Sequence, residues 1–550
     1  MKRLELLMLA TTMTALLAAV VVFFSPYAPT VEPMKEIEEI WAIEDAREES
    51  SVPLLTCLEN NGMRLGYDAQ QNTFYCTIGL GNGETWPEIH LTAPGAKGVK
   101  LCFVDDYTYD WCDEAVREGY AYQVLAYTEE EFWYTQVVFT GMTVICLETD
   151  EAVSLEDQPG RAAISACGSD PIQADARISY RGASSVEGDK KGYKIKFVGN
   201  RSGEGIEYDV PGIGMESRLA LLPMLTDAML MQERLCWDLY AAVVQDGAHL
   251  RPRKTQYIEL FVNDEYAGVY LMINLVDVQK ELRLAGESHV REDSVYRSCY
   301  VSLERTRITV PDPVAYHKGW GYELHRSTRP GSEFDDLQPY LALRTEQDDE
   351  AFARRALEMI DLEQVLRYHL FLQGCCLTDN AYNNMFIWTE RTQDGVRYSF
   401  YPWDLDQSWG YHYEEDKSYT RWFRFPLADR LINLDAGGAR SRLAQLWQSM
   451  REDVFTQENI AGLLEQYAIE LADSGAMMRN EERWGTGIAA PEGQGILDFA
   501  ATRFFILDEL IAGIAGTEGR IDFLNEDGGE TVSIKVIQEE GKETGEEADK

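Results

Sequence analysis

The strongest constraint on this chain sits at its start. Lys2 and Arg3 precede an uncharged, apolar run from Leu6 to Phe24. As a helix, that run spans about 28 Å at about 1.5 Å per residue, close to the hydrocarbon thickness of a bilayer. The basic flank is expected to stay in the cytoplasm, so the rest of the chain is expected outside it. A cleaved signal peptide is the competing reading. No good small-x-small cleavage site follows the run, because Tyr27-Ala28 is followed by Pro29. Residues 1–28 are therefore assigned to a signal anchor or transmembrane helix. Residues 29–51, acidic and helix-prone, are assigned to a stalk. The protein is expected to be a single-pass membrane protein, or secreted if the signal is cleaved.

The chain has 550 residues, more than one ordinary hydrophobic core organises, so two or three folded units are expected. Apolar residues make up 45%, which is globular composition. The net charge of −43 disfavours nucleic-acid phosphates and anionic lipid surfaces as partners. It suits divalent cations and basic protein substrates, and it also suits a plain solvated surface. The ten cysteines match no tight zinc spacing. Cys102 and Cys112 flank an aromatic, acidic loop and are a candidate pair, whereas Cys375-Cys376 reads as core filling.

From 52 to 137, short runs rich in Tyr, Val, Thr and Ile alternate with turn residues, which predicts a small β-sandwich-like domain. Residues 138–515 form a second body that opens with strands. Tyr193-Lys194-Ile195-Lys196-Phe197 alternates, placing Lys194 and Lys196 on one face. A helix is expected near 227–244. Tyr257–Val262 and Ala267–Ile273 flank Asn263-Asp264-Glu265-Tyr266 and read as a hairpin. Asp361 with Gln364 resembles a capping box opening a helix to about Leu377. Further helices are expected over 440–515. The acidic, Gly-rich tail, 516–550, is expected to be disordered. The fold class is α+β.

The chemistry is concentrated in Leu377–Trp388 and Tyr398–Asp406. A helix is expected to end near Asp379, and a polar loop then reaches Asn384. A strand leaves from Met385, turns at Gln393-Asp394-Gly395 and returns from Arg397 to Phe400. Paired strands lie about 5 Å apart, so Asp404 is expected beside Asn384, with Asp379 close to both. Hard oxygen ligands converging on one edge suit Mg2+ or Mn2+ carrying substrate phosphates. Asp379 and Asn384 also have the Asp-x-x-x-x-Asn spacing of a kinase catalytic loop, followed after a hairpin by Asp404 and Asp406. The bland alternative makes these residues turn caps and strand-end polar groups. His369 reads as a packing residue. His412 lies near the acidic stretch but is a weak ligand candidate.

Taken in order, these segments resemble the spore-coat protein H (CotH) kinase family across about 140–412. The residues that carry the resemblance are Arg181-Gly182-Ala183-Ser184-Ser185, Lys190 to Phe197, the Asp227-to-Tyr240 helix region, Val262 to Tyr270, Asp379 to Asn384, and Pro402-Trp403-Asp404-Leu405-Asp406-Gln407-Ser408-Trp409-Gly410. The resemblance implies an atypical protein-kinase-like fold that uses ATP and Mg2+ or Mn2+ to phosphorylate Ser or Thr in coat proteins. By that resemblance Asp379 is the catalytic-loop acid, and Asn384, Asp404 and Asp406 hold the metal. Arg181, together with Lys191 and Lys194 of a cluster running from Lys190 to Lys196, is implied to face phosphates. Basic or Ser-rich envelope or coat proteins are the implied substrates. The chain departs from the family at Met231-Gln232-Glu233, where an Arg-Asn pair is usual, and at Asn274, where a Glu is usual. Glu233 and Glu259 are the acids that could take the missing carboxylate's place.

Three functions compete at this point. One is phosphoryl transfer to protein hydroxyls. Another is a non-catalytic envelope module that keeps the fold. The third is glycosidase-like hydrolysis by paired carboxylates, which would need two carboxyl groups about 5–9.5 Å apart and leaves the lysine cluster unused.

Overall fold

The computed structural model describes residues 31–32, 35–81, 83–182, 186–199, 204–225, 227–244, 248, 250–277, 280–281, 293–299, 321–327, 334–377, 380, 383–410, 418–487, 492–526 and 531–537. The apolar run Leu6–Phe24, the Ser184-Ser185 turn, Asp379, His412 and the acidic end of the tail lie outside the described residues. Among the described residues, no helix is long and apolar enough to cross a membrane. The fold is mixed α+β. It divides into two compact units. The first takes residues up to Pro223, Gln256–Met272 and Glu470–Ala490. The second takes Met224–Thr255, Ile273–Ile469 and the remainder from Pro491.

The first unit opens with a mixed sheet. Its order is Val31–Glu32, Lys100–Phe103, Ala121–Tyr127, Glu131–Thr140, Thr73–Thr77 and Gly66–Asp68, with Glu48–Glu49 also paired to Glu131–Thr140. A small sheet of Met63–Arg64, Glu59–Asn60 and Leu91–Thr92 shares its core: Leu58, Leu65 and Leu91 cluster with Phe74, Val124 and Val137. The acidic segment expected to be a stalk contains a helix, Ile37–Asp45, docked on this sheet. Ile40 is buried with Cys102, Leu125 and Tyr127, and the Tyr134 hydroxyl donates to Glu44 at 2.8 Å. Ile40, with the partly buried Ile43 beside it, gives this acidic helix an apolar face to bury. Cys102 and Cys112 form no disulfide, a correction to the candidate pair. They cannot meet because Cys102 faces the Ile40 cluster and Cys112 belongs to the other core cluster. The boundary expected at 137/138 falls inside the Glu131–Thr140 strand, whose Val138 packs with Tyr75, Val144 and Phe261.

A closed barrel follows in the order Thr143–Thr149, Gln158–Ser165, Ile172–Arg181, Gly192–Phe197, Arg218–Leu222, Glu265–Asn274 and Thr255–Val262. Thr143–Thr149 and Thr255–Val262 close it in parallel. The strands alternate as their sequences require. Ile172, Ala174, Ala176 and Ile178 are buried, while Gln173, Asp175 and Arg177 are exposed. Tyr193, Ile195 and Phe197 point inward, and Lys194 and Lys196 are partly exposed, as the period-two pattern predicted.

The helix Ala476–Trp484 completes this unit. Its Arg479 donates to both oxygens of the fully buried Glu259 at 2.8 Å, and Glu259 also accepts from Tyr266 at 2.8 Å and Thr140 at 2.7 Å. The helix comes so close to the barrel that a Cβ at Gly268 would lie 2.6 Å from the Trp484 indole nitrogen. With φ at 99°, that position needs glycine on both counts.

The second unit contains the helix Gln232–Val243 and an antiparallel four-stranded sheet. The sheet order is Gly321–Ser327, Asp293–Cys299, Met385–Thr392 and Gly395–Pro402. Helices Gln338–Thr345, Asp349–Met359, Leu362–Gly374, Pro426–Asn433, Ala439–Glu452 and Gln494–Ala515 make up most of the rest. Cys375 and Cys376 are fully buried, and so is His369, edge-on to Trp422 with ring centroids 4.9 Å apart. These are the packing roles expected for them.

The tail does not become irregular at 516. Arg520–Glu526 and Thr531–Ile537 pair as an antiparallel hairpin. It is tied down at its start, where Arg440 donates to the carbonyls of Thr517 (2.8 Å) and Gly519 (2.6 Å) and Ile521 donates to Asn433 at 2.9 Å.

Candidate active site

The candidate site is built on the Leu362–Gly374 helix and the Met385–Pro402 hairpin. Asp361 caps the helix by accepting from the amides of Glu363 (2.8 Å) and Gln364 (3.2 Å). The reciprocal half of a capping box is absent. The Gln364 amide instead donates to the Phe400 carbonyl at 2.6 Å and so pins the second strand to the helix. The helix ends at Gly374, one turn earlier than expected.

The hairpin has the expected register, with Met385 opposite Pro402 and Thr392 opposite Gly395. One further bond, from Trp403 N–H to the Asn384 carbonyl at 2.8 Å, extends the ladder beyond its mouth. Asn384 (φ 49°) and Asp404 (φ 60°) then both adopt left-handed backbone. Among residues with a side chain, Asn and Asp tolerate that conformation best. Asn380, fully buried, staples the mouth: its side-chain amide donates to the carbonyls of Trp403 (2.7 Å) and Asn384 (3.2 Å). The Tyr368 hydroxyl holds Asn380 in turn by donating to its carbonyl at 2.6 Å. Asn384 and Asp404 are therefore neighbours, as the hairpin argument required.

Glu233 brings a third carboxylate to this place. It lies on the Gln232–Val243 helix, 3% exposed, and accepts from the Trp237 indole at 3.4 Å and from the Leu405 amide. Burial, and then the negative charges of Asp404 and Asp406, push its carboxyl well above the usual carboxylate range. The helix that carries it is entered through Asp227, which accepts from the amides of Gln232 (2.6 Å) and Met229 (3.0 Å). Trp237 and Trp403 meet edge-to-face at 6.1 Å beside the acids.

Of the two acids considered as replacements for the missing carboxylate, Glu233 joins Asp404 and Asp406. Glu259 does not qualify, because its oxygens are already taken by Arg479, Tyr266 and Thr140. Asn274 accepts from the Lys254 amide at 2.9 Å.

Asn384 and Asp404 are of the right chemical type for a small hard cation. Mg2+ is usually bound through one or two carboxylates plus substrate phosphates, not by an all-protein cage. Among the described residues, no group of three or more His, Cys, Asp or Glu is arranged to hold a metal ion. The side-chain oxygen of Asn384, Oδ1, accepts from Arg297 at 2.6 Å, a partner that sequence reasoning did not identify. Asn380 was missed as well. Its only sequence signal was its place inside the Asp379-to-Asn384 stretch.

The expected phosphate-facing residues belong to the first unit. Arg181 ends its strand opposite Gly192. Lys191 donates to the Val186 carbonyl at 2.6 Å. Lys194 pairs with Asp157 at 2.8 Å, and against the effect of burial the hydrogen bonds from Lys194 and Ser179 hold Asp157 below the usual carboxylate range. Lys190 is not a solvated turn charge. It is 5% exposed, donates to the Val269 carbonyl (2.6 Å) and Asn480 (3.2 Å), and lies 4.8 Å from the centre of the Tyr270 ring. Burial pulls its ammonium down to about 7.

No curated protein matches the chain. A family model described as CotH kinase protein matches residues 178–503, beginning later and ending well beyond the segment whose motifs carry the resemblance. The match covers more than half of the 550 residues, and with the hairpin and its acids in the expected order, the chain belongs to the CotH kinase family.

Proposed function

We propose that this chain is a membrane-anchored atypical kinase that transfers phosphate from ATP to Ser or Thr hydroxyls of basic or Ser-rich envelope proteins, with its body outside the cytoplasm. The observation that carries this reading is the stapled hairpin mouth, where Asn384 and Asp404 are held side by side and Glu233 feels the charges of Asp404 and Asp406. Asn384, Asp404 and Asp406 would hold Mg2+ or Mn2+. The bound cation would supply charge neutralisation for the β- and γ-phosphates. Asp379 would orient the acceptor hydroxyl and take its proton as the new oxygen–phosphorus bond forms and the bond to the ADP oxygen breaks. Arg181, Lys191 and Lys194 would contact phosphate oxygens, Lys191 and Lys194 by exchanging the carbonyl and carboxylate they now hold. The apolar run after Lys2-Arg3 supports the anchor.

One observation favours a second reading, a non-catalytic envelope module: Arg297 occupies the Asn384 oxygen that a metal would need. Incubating the purified chain with labelled ATP, Mn2+ or Mg2+ and a basic Ser-rich peptide separates the two. Metal-dependent label on the peptide supports the kinase. Nucleotide binding without transfer to any hydroxyl supports the module.

A further inference from the structure

The first unit leaves in water two aromatic rings that lie two residues apart in the chain. Tyr109 is 84% exposed and Trp111 is 58% exposed. Isolated surface aromatics are ordinary, but these two share a short stretch that is firmly held. Tyr107, just before them, packs edge-on against Trp86 at 5.0 Å and lies 5.7 Å from Phe139. The Trp86 indole donates to the Asp110 carbonyl at 2.8 Å, and the amides of Gly81 (3.3 Å) and Gly83 (2.9 Å) fix Asp113. The rings are thus presented on a braced surface, which lowers the ordering cost of binding.

The surroundings of the rings select the partner. Asp105, Asp106, Asp110, Asp113, Glu114 and Glu118 fall within the same stretch. The groups that hydrogen-bond these carboxylates are uncharged: the Gln123 amide on Asp105 (2.8 Å), Thr108 on Asp106 (2.6 Å) and the Tyr122 hydroxyl on Asp110 (2.9 Å). Such bonds orient a carboxylate and leave its charge in place. Arg117, the base within this stretch, is paired with Asp473 at 3.0 Å.

Exposed Tyr and Trp faces amid fixed negative charge match a guanidinium or ammonium group, which gains from the ring and from the field together. A glycan would use the rings but gain little from the charge, and an anionic lipid surface would be repelled. We propose that the Tyr109–Trp111 face docks an extended Arg- or Lys-bearing peptide segment. This docking is independent of phosphoryl transfer and would operate in a catalytic or a non-catalytic chain alike.

The test is fluorescence anisotropy of a short labelled Arg-Ser repeat peptide against the full chain. Tyr109→Ala/Trp111→Ala removes both rings and no charge. It should weaken binding about 5- to 30-fold, the expectation for two exposed cation–π contacts. Trp111→Tyr should keep most of the affinity, and Glu129→Gln/Glu130→Gln, which removes charge elsewhere in the same unit, should change it little. Parent affinity should fall as salt rises. Because both rings are in solvent, the double variant should unfold at the parent temperature. Unchanged peptide affinity in the double variant would overturn the proposal and leave only general attraction to an acidic chain. Salt-independent binding of a neutral oligosaccharide through the same rings, with no peptide binding, would overturn it in favour of a glycan.

Discussion

Removing the Asn380 side chain should loosen the hairpin mouth before it affects anything else. Asn380 is fully buried and makes two side-chain hydrogen bonds, to Trp403 O at 2.7 Å and to Asn384 O at 3.2 Å. Each such bond contributes about 0.5–1.5 kcal/mol net, so Asn380→Ala should cost about 1–3 kcal/mol locally. Asn380→Asp should cost more at neutral pH. A carboxylate cannot donate to two carbonyls and would be buried facing them, so it must lose its charge or force the mouth open. The assay is amide hydrogen exchange read by mass spectrometry over peptides covering 385–402, which reports local opening in a chain of two units. The Ala variant should exchange there about 5- to 150-fold faster, and the Asp variant faster still, with peptides of the first-unit barrel unchanged. Metal-dependent nucleotide affinity should fall in step, because Asn384 and Asp404 lose their common support. If Asn380→Asp exchanges like the parent, the staple does not exist as described. If exchange quickens while metal-dependent affinity stays constant, the hairpin mouth is not the metal site.

Other expectations follow from the same geometry. Asp404→Ala should abolish Mg2+-dependent nucleotide binding with the fold intact, whereas Asp379→Asn should keep binding and lose transfer by about 10²–10⁴-fold. Equal loss of binding in both variants, measured side by side, would refute that division of roles. Arg479→Met strands the buried Glu259 charge and should destabilise the first unit by about 3–5 kcal/mol. Adding Glu259→Leu should restore much of that in a denaturant titration, and a double variant no more stable than the single would show that the pair is not the cause. Lys190 should make stability pH-dependent. Unfolded, it stays protonated up to its ordinary 10.5, whereas folded it loses its proton near 7. The unfolded chain therefore binds more protons between those values, and stability should rise with pH through that window by up to about 1.4 kcal/mol per pH unit. The Val269 carbonyl, Asn480 and the Tyr270 face favour the charged form and reduce the gain. Lys190→Met should lack it, and parallel stability profiles for parent and variant between neutral pH and pH 9 would contradict the buried position.

The local pieces of the site could be read from the sequence because each depends on neighbours in the chain. The Gln393-Asp394-Gly395 turn sets the hairpin register, and register alone brings Asn384 beside Asp404. Period-two alternation gave the inward face of Tyr193, Ile195 and Phe197, and an Asp before an apolar helix gave the cap at Asp361. The same reasoning misjudged Gln364, because a competing partner, the Phe400 carbonyl, arrives from a strand that the sequence does not place against the helix.

What the sequence by itself determined was the α+β character, the strand faces, the order of the family motifs and the pairing of Asn384 with Asp404. These follow from side-chain periodicity and turn chemistry, which act over a few residues. Only the tertiary structure decided the rest. It assigned Glu233 to the Asp404–Asp406 acids and Glu259 to Arg479, residues separated by 220 positions along the chain. It buried Lys190 against Tyr270 and Asn480, and it turned the 37–45 segment from a spacer into a packed helix. The physical reason is the same in each case. The state of a charged or apolar side chain is set by what surrounds it, and at these positions the surroundings are supplied by distant parts of the chain.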